Sequence, residues 1–247
     1  MYFNGVHILW YVLAGVIGLF VGQFVDWCNE RLPEYKKIFS RDFFKDYLKR
    51  CKPKYILIII MAVAYIFLLY SYADDIISLL KYAFLIPMLL SAFTIDLKLQ
   101  IIPNRLTLTI FEFGLIFTFL EVILNVTAGI GVLKNSLLGM IVGAGIFLLI
   151  TCIGGLIAGK EAMGFGDVKL MGALGLYFGW VNIIIISVLA FLFAAVISIV
   201  ILILRRKKMN EYIPFGPFIV SASLVTIYVP FSTLIAVMLK IFSLGLF

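Results

Sequence analysis

Residues 168–204 run for 37 positions with one charged side chain, Lys169. At about 1.5 Å per residue a single helix of that length would overshoot a bilayer core of roughly 30 Å. The run must therefore cross a membrane twice, and the spacing predicts a break at Gly179-Trp180-Val181-Asn182, with Trp180 at the outer interface. The rest of the chain repeats the pattern. It is 64% hydrophobic and 13% charged, with a mean hydropathy of +1.17, about half the charge fraction of a soluble domain. The expectation is an all-α, polytopic transmembrane helical bundle of about eight spans.

The net charge of +7 does not signal nucleic-acid binding, because the basic residues cluster between apolar runs as the positive-inside rule requires. Residues 5–25 read as a retained first span, since they lack a basic leader region and a small-residue cleavage site. Gly15, Gly18 and Gly22 suit close helix packing there. Residues 26–54 hold nine of the twenty Lys and Arg residues and are expected to be cytoplasmic. Phe39, Phe43, Phe44, Tyr47 and Leu48 suggest a short amphipathic helix on the membrane surface, where its basic neighbours would meet anionic lipid. Further spans are expected at about 55–70, 76–95, 106–125 and 137–158. Arg205-Arg206-Lys207-Lys208 belongs inside, which an even number of spans after residue 54 provides. Residues 213–247, with Pro214, Pro217 and Pro230, read as one kinked span, a second pass being left open. Two units are expected: residues 1–54, and a membrane domain over 55–247.

Two carboxylates stand out. Asp96 ends the third span, ahead of a polar break over 96–105 containing Pro103 and Asn104. Asp167 follows Gly164 and Gly166 at the start of the long apolar run. Two crossings separate them, so both lie near the same, inner, face. Carboxylates at a bilayer edge are costly to bury. Held within a few Å, such a pair shares a proton and titrates as a unit, one member acting as general base on water while the other protonates the carbonyl or leaving amine. Gly164 and Gly166 would let a substrate backbone approach and would allow a positive φ ahead of the helix. The plainer alternative makes each Asp a helix-end residue, with Asp167 capping a helix that begins at Val168. Lys169 either tunes the pair or anchors its helix at the headgroups. Asn104 either bonds substrate backbone or caps the fourth span. Glu112, and with it Glu121, lies within that span, and Glu112 is expected to face the bundle and be hydrogen-bonded. Cys28, Cys51 and Cys152 form no C-x-x-C pair, and the single His7 removes an H-E-x-x-H metal site.

Several segments, in order, resemble the type IV prepilin peptidases: Gly22-Gln23-Phe24-Val25-Asp26 with Arg31-Leu32-Pro33; Asp96 with Ile102-Pro103-Asn104; Glu161 to Gly175; and Ile213-Pro214-Phe215-Gly216-Pro217-Phe218. The resemblance implies an integral-membrane aspartyl protease of the cytoplasmic membrane that cuts the basic leader from type IV prepilins or pseudopilins. Asp96 and Asp167 match its catalytic pair, with Gly164, Gly166, Lys169, Pro103 and Asn104 expected to support them. It further implies, for many members, methylation of the new N-terminus with S-adenosylmethionine, in a region where Asp26 and Arg31 match. Many bacterial members carry two C-x-x-C pairs in the first cytoplasmic loop. Cys28 and Cys51 are too few for that four-sulfur zinc site, so no metal is expected. The rival classes are a small ion-coupled transporter or channel using Asp96 and Asp167 as ion or proton sites, and a membrane scaffold for a secretion machine.

Overall fold

A computed structural model describes residues 2–3, 6–38, 55–124, 129–158, 163–204 and 213–242. The surface helix expected around Phe39 to Leu48, Cys51, and the Arg205–Lys208 cluster lie outside the described residues. Within them a two-residue hairpin, β1 (Tyr2–Phe3) with β2 (Val6–His7), precedes eight helices. These are α1 (Ile8–Arg31), α2 (Tyr55–Tyr72), α3 (Ile76–Leu99), α4 (Asn104–Leu124), α5 (Gly129–Ala158), α6 (Phe165–Ile203), α7 (Gly216–Tyr228) and α8 (Phe231–Phe242). Six of them, α1 to α6, are long and apolar enough to cross a membrane.

Glycine sets the closest helix crossings, because in lipid small residues let backbones approach. Cβ atoms on Gly15, Gly18 and Gly22 would meet Ile66, Ala62 and Ile58 of α2 in that order. The first two helices therefore run antiparallel through the glycine face anticipated for them. In α5, a Cβ on Gly139 would overlap both Gly175 and Gly179, and one on Gly143 would overlap Met171 and crowd Ile183. One turn further on, Phe147 stacks on Phe191 at 5.8 Å between ring centroids. As α5 advances, its contacts on α6 move backwards from 175 to 171 and forwards from 179 to 191. The 39-residue α6 is thus two antiparallel arms flanking α5.

The reversal sits at Gly179, whose φ of 72° and ψ of 175° are non-helical and belong to a region only glycine occupies readily. A side chain there would also run into Asn135, whose Oδ1 accepts the Trp180 N–H at 3.4 Å. The break expected from length and charge is where the structure bends the chain. The first arm, residues 165–178, is the buried centre of the molecule, with Leu170 to Phe178 all enclosed. Tyr177 donates its hydroxyl to the Ile110 carbonyl of α4 at 3.0 Å.

Several boundaries differ from the expectation. α1 continues to Arg31, so Asp26 and Arg31 stand on the helix rather than in a polar loop; Val25 and Trp27 are buried there and carry the helix past its last apolar turn. α3 likewise continues past Asp96 to Leu99, leaving a break of only four residues before α4. The C-terminal stretch is not one kinked span. Tyr72, the last residue of α2, donates to the Ile227 carbonyl at 2.7 Å, so α7 reaches the end of the bundle opposite Asp96 by itself. Pro230 separates it from α8, and the 12 residues of α8 extend about 18 Å.

Glu112 does not face the bundle. It shares the exposed face of α4 with Leu108, Ile116 and Phe119, while Leu106, Ile110, Gly114 and Phe117 point inward; at 100° per residue these two stripes cannot coincide. Glu121 is the paired acid. Its Oε1 lies 2.6 Å from Lys81 Nζ of α3.

Candidate active site

Four helix ends meet at one end of the bundle: the C-terminus of α3 and the N-termini of α4, α6 and α7. Two of these elements are short. The first arm of α6 and the 13-residue α7 are each about 20 Å long, while α3 and α4, at 24 and 21 residues, exceed 30 Å. The difference in length falls at the opposite end, where Phe178, at the end of the first arm, stacks on Tyr82 well inside α3, while at this end Gly216 meets Asp96 in the last turn of α3 and Lys169 meets Asn104 at the start of α4.

Asp96 and Asp167 stand in the recess between these four ends, each 4% exposed. Asp96 lies in the last turn of α3, whose end is sealed by Gln100 in the left-handed conformation donating its N–H to the Asp96 carbonyl at 2.9 Å. The Asp96 side chain turns to α7, where Oδ2 accepts the Gly216 N–H at 3.0 Å. Asp167 lies in the first turn of α6, with its N–H on the Gly164 carbonyl at 3.0 Å. The carboxylate of Asp96 is near enough to act electrostatically on Asp167. Two helix N-termini converge on the pair, and their partial positive charge favours anionic groups there.

The capping alternative for Asp167 does not hold. Gly164 is the N-cap residue of α6 and the helix begins at Phe165, which makes Asp167 the third residue of the first turn. Gly164 has φ of −67° and ψ of 137°, and among the described glycines only Gly179 has a positive φ. The pair of glycines is therefore not used for left-handed backbone. Nor does Gly166 open space toward a substrate: a Cβ there would lie 3.2 Å from Ile102 Cβ. Ile102 also stands against Gly216, where a Cβ would lie 3.2 Å from its Cδ1. This one side chain is wedged between the starts of α6 and α7.

The other expected residues divide. Lys169 is exposed, on the face of α6 turned away from Asp167. Its Nζ donates to Asn104 Oδ1 at 2.8 Å and lies 5.0 Å from the Phe165 ring. It ties the start of α6 to the start of α4. Asn104 is committed to that contact, and Pro103 supplies the carbonyl that accepts the N–H groups of Leu106 and Thr107 in the first turn of α4.

Asp26 is 1% exposed. Arg31 lies with its guanidinium 3.9 Å over the Trp27 ring and donates to the Lys37 carbonyl at 2.9 Å. A cavity of about 630 Å³ among α1, α3 and α4 is lined by apolar residues including Cys28, Leu32 and Leu106, and by neither Asp26 nor Arg31. Among the described residues, Asp26 is enclosed and Arg31 is engaged by Trp27 and the Lys37 carbonyl. Among the described residues no three His, Cys, Asp or Glu side chains gather as a metal site would require.

Gly216 and Ile102 were not singled out from the sequence as site residues. The signal available was the Pro-Phe-Gly-Pro run at 214–217, which marks a helix start after a turn but not the carboxylate 120 residues away.

Residues 83–199 match the type IV leader peptidase family, a stretch that contains both aspartates. The prepilin leader peptidase/N-methyltransferase of Aeromonas salmonicida (strain A449) is 34% identical over 141 residues, which cover 57% of this chain and 46% of that protein. The protein of the same name from Legionella pneumophila is 31% identical over 140 residues, covering 57% and 46%. The Escherichia coli (strain K12) protein of that name is 30% identical over 133 residues, covering 54% and 56%. The chain thus spans about half the length of the curated relatives it matches. No solved structure matches it.

Proposed function

We propose that this chain, whose residues 83–199 match the type IV leader peptidase family, is a member of that family and an integral-membrane aspartic endopeptidase. Its substrates are type IV prepilins or pseudopilins, and it removes their basic leader at the cytoplasmic face. The observation that carries this reading is the meeting of two buried carboxylates, from α3 and α6, in a recess at one end of the bundle.

The geometry suits the reaction. A membrane-anchored substrate helix can lie alongside the bundle with its polar leader outside the apolar core. The junction between leader and helix then falls at the depth of the recess. One carboxylate, ionised, takes a proton from a water that attacks the scissile carbonyl carbon. The other, protonated, gives its proton to the carbonyl oxygen; the first then passes the proton it took from water to the departing amine as the C–N bond breaks, and a hydroxyl of the tetrahedral intermediate returns a proton to the second. Burial excludes bulk water and strengthens each of these interactions. Lys169 and Asn104 tie the start of α6, which carries Asp167, to the start of α4; they do not reach the reacting atoms. The N-methyltransferase half of the relatives' name would fall to residues 26–54 in this chain, and the peptidase chemistry runs without it.

Co-expression with a pilin precursor, followed by mass spectrometry of the precursor's N-terminus, tests the reading. The wild type should yield the shortened chain, and the same spectrum reports any added methyl group. Asp96→Asn and Asp167→Asn should each abolish processing while the protein remains in the membrane. Processing at wild-type rate by either variant sinks the proposal.

A further inference from the structure

We infer that the backbone N–H of Gly216 is a positioning group of this active site, holding Asp96 by one oxygen so that its carboxylate faces Asp167 in a fixed orientation. The inference rests on the peptidase reading above and adds a third part to the site.

The contact is buried, and it joins residues at positions 96 and 216, on α3 and α7. The approach is so close that only glycine fits. A Cβ at position 216 would lie 2.6 Å from Asp96 Oδ2 and 3.1 Å from its Cγ. The donor is itself held in place from the neighbouring position. Phe215 packs against Phe191 at 5.0 Å, Phe147 at 5.8 Å and Phe218 at 5.9 Å between ring centroids, and Phe147 is fully buried. Ile102 fills the remaining side. A main-chain donor on a helix start has no rotamer to lose, so it orients the carboxylate without paying side-chain entropy. Pro217 follows in the first turn of α7, where its missing N–H costs nothing, and Gly216 presents its N–H just ahead of it.

Replacing the Gly216 amide by an ester, with glycolate in place of glycine, removes the N–H and adds no atoms to the crowded side. The control is the same replacement at Phe218, whose N–H donates to the Phe215 carbonyl at 3.0 Å in the same turn. Both esters lose one main-chain hydrogen bond and should lower the thermal midpoint similarly. Only the Gly216 ester should lower kcat for precursor cleavage, by roughly ten- to a hundredfold, the worth of one hydrogen bond to a charged group, with KM unchanged. Gly216→Ala, which keeps the N–H and adds the clash, should lose kcat as well. Equal kcat in the two esters, whether both slow or both fast, overturns the inference, as does a loss at Gly216 expressed in KM. A wild type that leaves the precursor uncut overturns the peptidase reading itself, whereas a cutting wild type matched by its Gly216 ester overturns this inference alone.

Discussion

At the scale of single residues, the costs of charge in an apolar medium sort the acids of this chain. Asp96 and Asp167 are almost wholly enclosed, and each is met by helix N-terminal dipoles and by the other. Two groups that act as one unit do not lose activity additively. The Asp96→Asn/Asp167→Asn double variant should therefore cleave no more slowly than either single variant, measured as residual rate on the same precursor. Glu121 is held by Lys81, whose side chain is 11% exposed against 19% for its partner. Removing one member of a buried pair strands the other charge, at a cost of about 3 kcal/mol. Glu121→Gln should lower the unfolding midpoint in detergent, and Glu112→Gln, on the exposed face of α4, should leave it unchanged or raise it. That the two aspartates share one end of the bundle was legible from the sequence, because the parity of crossings between them is a matter of counting apolar runs. The side on which Glu112 falls was not, since α4 is apolar on every face and its periodicity gives no direction. The Gly216 donor was hidden for a different reason: a backbone group offers no residue type to notice.

At the scale of elements, glycine and helix length do most of the positioning. The Gly179 break could be read ahead because 37 apolar residues exceed one crossing, and because the basic cluster after it had to return inside. The enclosure of the aspartates could not, because it depends on where α6 and α7 start against the ends of α3 and α4, and helix ends inside apolar sequence carry few markers. The start of α6 is one such end: Gly164 caps it without a side-chain hydrogen bond. The crossing of α5 with α6 is a backbone-to-backbone contact, in which a Cβ on Gly175 would overlap the Gly139 carbonyl. Gly175→Ala should thus destabilise the protein by about 1–3 kcal/mol through overpacking. Gly131, whose Cβ would meet nothing within 4 Å, is the control on the same pair of elements. Gly131→Ala should be neutral or slightly stabilising, since alanine loses less backbone entropy in a helix. Thermal unfolding of the two variants in the same detergent decides it, and a Gly175→Ala midpoint equal to that of Gly131→Ala would show that the helices can part at no cost.

At the scale of the whole molecule, the two ends of the bundle are chemically distinct, and the distinction predicts which compartment meets the aspartates. One end gathers Arg31, Lys36, Lys98, Arg105 and Lys169 beside the recess; the other gathers Tyr72, Tyr82, Phe178 and Tyr228 around Asp75, which caps α3 through bonds from the Ile77 and Ser78 N–H groups at 3.1 and 3.2 Å. A membrane potential and anionic inner-leaflet lipid both favour the cationic end inside. Thiol labelling reads this directly, because a thiol must reach water to ionise and react. In a background with Cys28, Cys51 and Cys152 replaced by serine, Ile101→Cys places a thiol on the exposed turn beside the recess, and Asp74→Cys places one at the opposite end. A membrane-impermeant maleimide applied to intact cells should modify Asp74→Cys and spare Ile101→Cys until the membrane is opened. Labelling of Ile101→Cys from outside would turn the carboxylate pair away from the cytoplasm, and a leader that is cut before its helix leaves the inner face could then not be the substrate.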